Sequence, residues 1–286
     1  MAVKSAKANY QVFGTKLDLI CTINYPTVFA DNRITKNPAN AGYNFVSENC
    51  IPIQSGLIKD SKKPGGNVTG VGVFTQMISM IRLALMIKPK VKKMAVASRD
   101  AMTQVNEWFE AEFRRACKEE GVEFVEFRRV TSAEDHLAFV MEYDAKGSDY
   151  FVADGIGPAV SRDGSRMDPK LVYANSQKSL KSLLYLGYDE EPIKVSGVKV
   201  AATSVIWYDI GAQLADKGIR ILDGAKPGER SWDYPRKFNI ILNLVAARKM
   251  GFVVSEKLLG AAYRVYTDME GHFSGPRASS SNLSPH

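Results

Sequence analysis

The chain has 286 residues, of which 45% are hydrophobic and 24% charged, and its formal net charge is +7. This balance is that of a globular protein with a packed core, and it excludes a chain that is disordered throughout. The length suits one large domain or two lobes of ordinary size. The basic residues are scattered and form no long Lys/Arg block, so a solvated surface is favoured and nucleic-acid binding is not expected.

Two sets of residues that often mark metal or redox sites are sparse here. The cysteines Cys21, Cys50 and Cys117 have no CxxC spacing, and the three histidines are isolated in the sequence. We therefore expect no disulfide framework, no metal site and no cofactor.

The apolar segments are too short to indicate a membrane span. The best candidate, "MISMIRLALMI", contains Arg82 and falls short of the about 18 residues that a span needs, so it predicts a buried helix. The N-terminal stretch "MAVKSAKANYQVFG" has no apolar core of the signal-peptide type. We therefore expect no direct membrane insertion, and the chain as given shows no signal peptide.

The predicted elements of the N-terminal part are irregular. "LDLICTI" (residues 17–23) predicts a buried strand, residues 31–50 an inserted polar loop, and "IPIQSGLI" (residues 51–58) a second strand. The stretch "KPGGNVTGVGVF" (residues 63–74) has neither the lysine of a P-loop nor a helix after its glycines. It predicts a turn that leads into a strand.

From residue 94 onward, predicted strands and helices alternate. The strands are 94–98, 122–130, 148–154, 170–175, 197–206 and 237–244. The helices are 102–121, one that Ser132 caps, 176–187, one that Asp209 caps and ends at 224, and 245–251. Parallel strands need helical crossovers, so this order predicts parallel βαβ units and an α/β fold.

The residues that follow the predicted strands are polar or aromatic, as a small-molecule cleft requires. Ligands of open parallel sheets bind beyond the carboxyl ends of the strands. We therefore expect the ligand-binding residues to be Thr22, Asn24, Tyr25, Phe74, Thr75, Ser98, Arg99, Asp100, Thr103, Asp154, Trp207 and Asp209.

Several of these residues fit more than one role. Asp154 could bind a ligand ammonium group, cap the next helix or, least favoured, act as a catalytic acid. Arg99 and Asp100 could bind a carboxylate or pair with each other. Trp207 could stack on a ligand or pack between lobes. The sequence contains no GxSxG and no HExxH, so we expect no catalytic residues.

Several segments resemble one family in the same order along the chain. "PGGNVTGV" resembles the signature turn and strand of ABC-transporter substrate-binding proteins, in the group whose better-known members bind aromatic amino acids such as tryptophan. "SDYFVAD", "SVIWYDIGAQLADKGIRILDGAKPGE" and "PRKFNIILNLVAARKMGFVVSEKLLGAA" are similar to later segments of that family. The similarity covers residues 17–262.

The resemblance implies a type I periplasmic-binding-protein fold, in which two doubly wound α/β lobes joined by hinge strands close on a solute like a Venus flytrap. Lobe 1 would hold residues 1–87 and about 207–235, and lobe 2 residues 88–206 and about 236–270. Residues 271–286 are rich in Ser, Pro and Gly and predict a disordered tail.

The implied function is that of the extracytoplasmic solute-binding component of a bacterial ABC importer. Its partners would be a small molecule, with an amino acid as one option, and the permease subunits. Its location would be periplasmic or extracellular, with a lipid anchor as one option, and it would not be an enzyme.

The resemblance also implies roles for individual residues. Asp154 matches an aspartate of the family and would accept hydrogen bonds from a ligand amino group. Thr22 and Ser98 would hold a carboxylate, helped by helix N-termini. Phe74 or Trp207 would cover an apolar side chain.

Three departures from the family pattern bear on the ligand. About sixteen residues precede the first strand, fewer than the about 30 of a further βαβ unit, so the first lobe is expected to lack its initial unit. Residues 31–50 and about 158–168 are predicted insertions. The family's "NPSE" loop reads "SRDAMT", so the ligand need not be an amino acid.

Two rival functions stay open at this point. One is a ligand-sensing module of the same fold that controls a partner protein or an output domain. The other is an enzyme on an α/β scaffold. A neighbouring permease gene would favour transport, a neighbouring kinase or cyclase domain would favour sensing, and turnover of a bound ligand would favour the enzyme.

Overall fold

The computed structural model describes residues 17–22, 35–74, 76–100, 103–154, 160–166, 180–188, 199–268 and 272–274. The chain divides into two compact units, which we call unit 1 (Met1–Thr75 and Val205–Phe238) and unit 2 (Gln76–Ser204 and Asn239–His286). The chain thus passes from one unit to the other three times. The predicted strand at residues 170–175 lies outside the described residues, as do residues 275–286 of the tail predicted at 271–286. Within that predicted tail, Phe273–Ser274 form a short strand that pairs with Arg264–Tyr266.

Unit 1 is built on a three-stranded parallel sheet in the order β1–β2–β3. Its elements are β1 (Ile20–Thr22), β2 (Phe45–Glu48), β3 (Val68–Val71) and the helix α4 (Trp207–Leu222). Neighbouring residues of a strand point to opposite faces of the sheet. Val46 therefore packs with Ile210 and Leu214 of α4, whereas Phe45 packs with Trp232 on the other face.

The prediction for residues 31–58 was wrong in two respects. Strand β2 lies inside the predicted loop, and all four of its residues are buried. Residues 51–58 form turns instead of a strand, with the Ser55 backbone N–H donating to the Ile51 carbonyl at 2.9 Å. Ile51, Leu57 and Ile58 are buried, but Pro52 removes one backbone donor and Gly56 adopts a left-handed φ of 71°, so the chain turns.

Unit 2 is built on a larger sheet in the order β11–β10–β9–β8–β7–β6–β4–β5. Strands β4 to β8 pair in parallel, as do β9 and β10, and β11 is antiparallel to β10. The strands are β4 (Lys93–Arg99), β5 (Glu123–Val130), β6 (Tyr150–Asp154), β7 (Leu184–Gly187), β8 (Ala201–Val205), β9 (Phe238–Asn243), β10 (Arg264–Tyr266) and β11 (Phe273–Ser274). The α/β class predicted from the alternating pattern is confirmed.

The helices of unit 2 begin and end where the sequence predicts in two clear cases. The helices are α1 (Met77–Ile87), α2 (Thr103–Glu119), α3 (Ala133–Ala145), α5 (Leu244–Lys249) and α6 (Glu256–Ala261). Helix α2 buries Phe109 and Phe113, and Gly121 follows it with a φ of 68°. Helix α3 is capped by Ser132, whose hydroxyl accepts from the Asp135 backbone N–H.

Two helix predictions were wrong. Residues 184–187, predicted as the end of a helix, form β7, whose four residues are all buried. A short apolar run fits a fully buried parallel strand as well as a helix, and here the sheet takes it. Asp209 does not cap α4, because the helix begins two residues earlier at Trp207 and its N-cap is Ile206. Asp209 lies in the first turn, where a carboxylate still favours the helix dipole.

Helix α1 falls in unit 2, whereas the sequence analysis placed all residues up to 87 in the first lobe. The helix packs on α2 and on β7, both of which belong to unit 2. The chain therefore first passes from unit 1 to unit 2 directly after Thr75.

The "PGGNVTGV" stretch is a tight packing site in unit 1. A Cβ on Gly70 would lie 1.9 Å from the Ser47 carbonyl oxygen and 2.5 Å from a ring carbon of Trp232. A Cβ on Gly228 would lie 2.5 Å from the Gly66 carbonyl oxygen. The turn before β3 and the "AKPGE" turn therefore approach each other at glycine-limited distance, which explains in physical terms why both motifs contain glycine.

Candidate functional site

The carboxyl ends of the unit 2 strands bring several predicted residues to one edge of the sheet. Asp154 is the last residue of β6 and pairs in register with Ala97 of β4. Ser98 and Arg99 are the next two residues of β4, so they lie just beyond the paired residues Ala97 and Asp154. Thr103 is the first residue of α2, which follows β4. Parallel sheets of this kind bind ligands at this edge.

The Ser98 side chain is directed into the protein. It is fully buried, and its hydroxyl donates to Asn106 Oδ1 at 2.7 Å. Asn106 in turn donates from Nδ2 to the Arg99 carbonyl at 2.8 Å. This pair of bonds ties the end of β4 to the first turn of α2 and fixes the backbone direction at Arg99.

Asp154 lies at the centre of a buried polar cluster in unit 2. His136 of α3 donates from Nε2 to Asp154 Oδ1 at 2.8 Å, and the Tyr185 hydroxyl donates to the same oxygen at 2.8 Å. Lys199 Nζ forms an ion pair with Oδ2. The side chains of Lys199 and Asp154 are 1% and 4% exposed. We call Asp154, Lys199, His136 and Tyr185 the Asp154 cluster.

The ionised state of Asp154 is stabilised by its neighbours. Burial by itself would raise the pKa of this carboxyl, but the charge of Lys199 and the contact with His136 lower it, and the net effect is a pKa below the usual range. A hydrogen bond from a ligand amino group to Asp154 would therefore compete with an ion pair that the chain already makes.

We expect the Asp154 cluster to lose stability in acid. An Asp in the unfolded chain has a pKa of about 3.9, and the folded value is lower, so the ionised carboxylate stabilises the fold above that pH and the contribution is lost as the pH falls toward the folded pKa. In urea unfolding at pH 5, 4 and 3, the wild type should therefore lose stability relative to an Asp154→Asn/Lys199→Met double variant. Parallel pH profiles for the two proteins would contradict this assignment.

Arg99 and Asp100 do not pair with each other. Both lie in the described part of the chain, and no ion pair joins them there. Arg99 is partly buried, and its Nε lies in the interior with no hydrogen-bond partner among the described residues. Of the two roles left open by the sequence, pairing with Asp100 is therefore not made among the described residues.

Unit 1 has its own carboxyl edge. Thr22 ends β1, and Phe74 follows β3 by three residues. Asn49 directly follows β2 and is buried, and its Nδ2 has no partner among the described residues.

The start of α4 carries the last two predicted residues of unit 1. The Trp207 side chain is exposed, and Asp209 accepts a hydrogen bond from Gln213 at 2.9 Å. The predicted ligand-binding residues Asn24, Tyr25 and Thr75 lie outside the described residues.

Sequence reasoning missed four residues of these edges: His136, Tyr185, Lys199 and Asn49. His136 and Lys199 are 18 and 45 positions from Asp154 along the chain, so no local spacing links them. Tyr185 was missed because its segment was predicted as a helix. Asn49 was missed because β2 was predicted as a loop. A polar residue placed inside an otherwise apolar run, as Lys199 is in "GVKVAATSVI", was the available signal.

In the part of the chain that the structure describes, no group of three or more His, Cys, Asp or Glu could hold a metal ion. Within those ranges, no helix has both the length and the apolar character to cross a bilayer.

Three solved structures are similar in fold to the chain. A substrate-binding protein with adhesive properties from Clostridium difficile, in its ligand-free open form, aligns with a TM-score of 0.70 at 17% identity, over 93% of this chain and 83% of that one. An ABC domain in complex with L-Trp from Streptococcus pneumoniae gives 0.68 at 20% identity, over 92% and 83%. A conserved domain protein from Vibrio cholerae gives 0.67 at 20% identity, over 93% and 83%.

These likenesses show the fold, which is that of the type I periplasmic binding proteins. Among curated proteins, none is similar enough in sequence to count as a relative. The sequence model of one family, described as ABC transporter substrate binding protein, matches residues 1–266. The chain therefore belongs to the family of ABC transporter substrate-binding proteins.

Proposed function

We propose that the chain is the extracytoplasmic solute-binding component of an ABC importer, which binds one small organic molecule and passes it unchanged to a permease. The observation that carries this proposal is the family match over residues 1–266. The chemistry of the strand ends supports it, because polar and aromatic side chains follow the parallel strands of both units.

The binding residues we propose are those at the two carboxyl edges. In unit 2, Arg99 and the N-terminus of α2 at Thr103 would hold an anionic group, while Ser98 fixes the loop between them. In unit 1, Thr22 and Asn49 offer polar groups, and Phe74 and the exposed ring of Trp207 offer apolar area. The remaining predicted residues are proposed as ligand contacts of the unit to which each belongs, namely Asn24, Tyr25, Thr75, Asp100 and Asp209.

The L-Trp in the similar Streptococcus pneumoniae structure makes amino acids one class of solute to test. We propose that binding closes the protein around its ligand, since a solute that prefers the closed state shifts the population toward it. The permease is the proposed partner that reads this closed state.

A thermal-shift screen tests the proposal. Amino acids, organic acids, nucleosides and sugars are added singly to the purified protein, and one chemical class is expected to raise the melting temperature. A ligand at 100 times its Kd stabilises the folded state by about 2.7 kcal/mol, which is easily seen. Chromatography of the released ligand should recover it unchanged. If no solute of any class stabilises the protein, or if the ligand is converted to a product, the proposed function is wrong.

A further inference from the structure

Two buried donors at the strand ends have no partner among the described residues. One is Arg99 Nε at the end of β4 in unit 2, and the other is Asn49 Nδ2, directly after β2 in unit 1. Most buried N–H groups in folded proteins are hydrogen-bonded, and leaving one unpaired costs free energy. In unit 2, a ligand that brings an acceptor atom to Arg99 would remove that cost.

The orientation of the Asn49 amide is fixed by its own contacts. Its Oδ1 accepts from the Ile51 backbone N–H at 2.9 Å, so the other amide atom is the NH₂ group. Its backbone N–H donates to the Val71 carbonyl at 3.1 Å, which joins the ends of β2 and β3. The preceding acid, Glu48, has an interaction partner within the protein. The group that Asn49 leaves unsatisfied is therefore a donor.

The surroundings of Arg99 favour a negative charge. Asp100 makes no ion pair with it in the described part of the chain, so the guanidinium is not neutralised by its neighbour. Helix α2 is 17 residues long, begins four positions later and has no acidic residue in its first turn. A helix N-terminus and a guanidinium that makes no ion pair among the described residues both attract an anion at this sheet edge.

Asp154, by contrast, has no open position for a cation. His136 and Tyr185 both donate to Oδ1, and Lys199 is paired with Oδ2. The Lys199 ammonium is itself buried, so it is held against Asp154 and does not move into solvent. A ligand ammonium would have to displace it and leave a buried lysine uncompensated, which is strongly unfavourable.

We propose that the ligand is an organic acid that carries no ammonium group. Arg99 binds the carboxylate of this acid. Lys199, which lies inside unit 2, already occupies the position on Asp154 that a ligand ammonium would need. This inference rests on the proposed solute-binding function and narrows the ligand to a class. Acids with a keto or hydroxyl group beside the carboxylate fit best, because neither group carries a positive charge that would need Asp154 as its partner.

The test compares compounds that share a side chain and differ only in the groups on the carbon atom to which that side chain is attached. For each of the benzyl, indolylmethyl and isobutyl side chains, the panel holds the 2-oxo acid, the 2-hydroxy acid, the amino acid and the primary amine. Binding is measured by titration calorimetry in a buffer without carboxylates. We expect at least one acid without an ammonium group to bind, and to bind at least 10-fold more tightly than the matching amino acid.

Three variants locate the anion. Arg99→Gln should weaken binding of that acid about 10- to 100-fold, the range for a lost hydrogen bond to a charged group. Arg99→Lys keeps the charge but not the planar fork, so it should retain part of the affinity. The control, Arg114→Gln, removes an equal charge from an exposed ion pair with Glu110 on α2 and should bind like the wild type. Equal melting temperatures of the unliganded proteins show that all three variants are folded.

Each other outcome contradicts the inference. If the amino acids or amines bind more tightly than the acids, or if Arg99→Gln and Arg114→Gln bind alike, the proposed ligand class is wrong. If no acid of the panel binds but a sugar, a nucleoside or an amine does, the inference fails and the solute-binding function stands. If nothing in the wider screen binds, the proposed function itself fails.

Discussion

Replacing Asp154 with Asn is expected to lower the free energy of unfolding by about 3–5 kcal/mol, the cost of removing one partner of a buried ion pair. The substitution keeps the size of the side chain but leaves the Lys199 ammonium, 1% exposed, without its countercharge. Urea unfolding followed by circular dichroism at pH 7 measures the change.

The double variant Asp154→Asn/Lys199→Met separates charge from packing. Methionine fills a similar volume without a charge, so it should recover much of the loss, since a well-packed apolar replacement of a buried ion pair is often neutral. The control, Glu110→Gln, breaks the exposed pair with Arg114 in the same unit and should cost less than about 1 kcal/mol. A loss below about 1 kcal/mol for Asp154→Asn, equal to the control, would show that the Asp154 cluster is not a buried ion pair in solution.

Replacing Gly70 with Ala is expected to destabilise unit 1 by about 3 kcal/mol, at the upper end of the usual cost of overpacking. The new methyl group would lie 1.9 Å from the Ser47 carbonyl oxygen, which belongs to the backbone of β2. Relief therefore requires β2 and β3 to separate or Trp232 to leave its buried position.

Trp232 serves as the reporter for this change. The chain has three tryptophans, so a background with Trp108→Phe and Trp207→Phe leaves Trp232 as the only one. We expect its urea unfolding midpoint to fall in the Gly70→Ala protein. Gly211→Ala, at a helical position of α4 with nothing within 4 Å of the added Cβ, should leave stability unchanged or slightly raised. Equal midpoints for the two alanine variants would contradict the close approach.

The parts of the fold that the sequence predicts well are those whose signals are local and long. The segment of α2 has apolar residues at helical spacing and a glycine, Gly121, as its stop signal; the structure has a helix of 17 residues there, and Gly121 follows it with a left-handed φ. The Ser132 cap of α3 was also predicted from residues three positions apart. Alternation of such elements was enough to predict parallel βαβ units.

The parts that could not be predicted depend on distant residues. Strand β2 is four residues long within a polar stretch, and its strand state comes from pairing with β1 and β3. Strand β7 has the local sequence of a helix end, and its strand state comes from pairing with its neighbours β6 and β8 in the sheet. Local propensity is a weak guide where tertiary pairing decides the outcome.

The candidate site also has features that the sequence predicts and features that it does not. The position of Arg99 at a strand end follows from the local pattern. That its Nε has no partner among the described residues does not, because this depends on how Asp100 and the neighbouring strands are arranged. Asp154 was predicted at a strand end, but its partner Lys199 lies two residues before β8, 45 positions later in the chain. The sequence therefore predicts the position of the candidate site at the strand ends. It does not predict which charged side chains there are already paired within the protein.

Native mass spectrometry of the intact protein, incubated with the solute panel, tests the account most directly. We predict one complex with a single small molecule per chain, from which the same molecule is recovered unchanged after denaturation. A protein that retains no solute from any class, or that releases a molecule different from the one supplied, would contradict a solute-binding role.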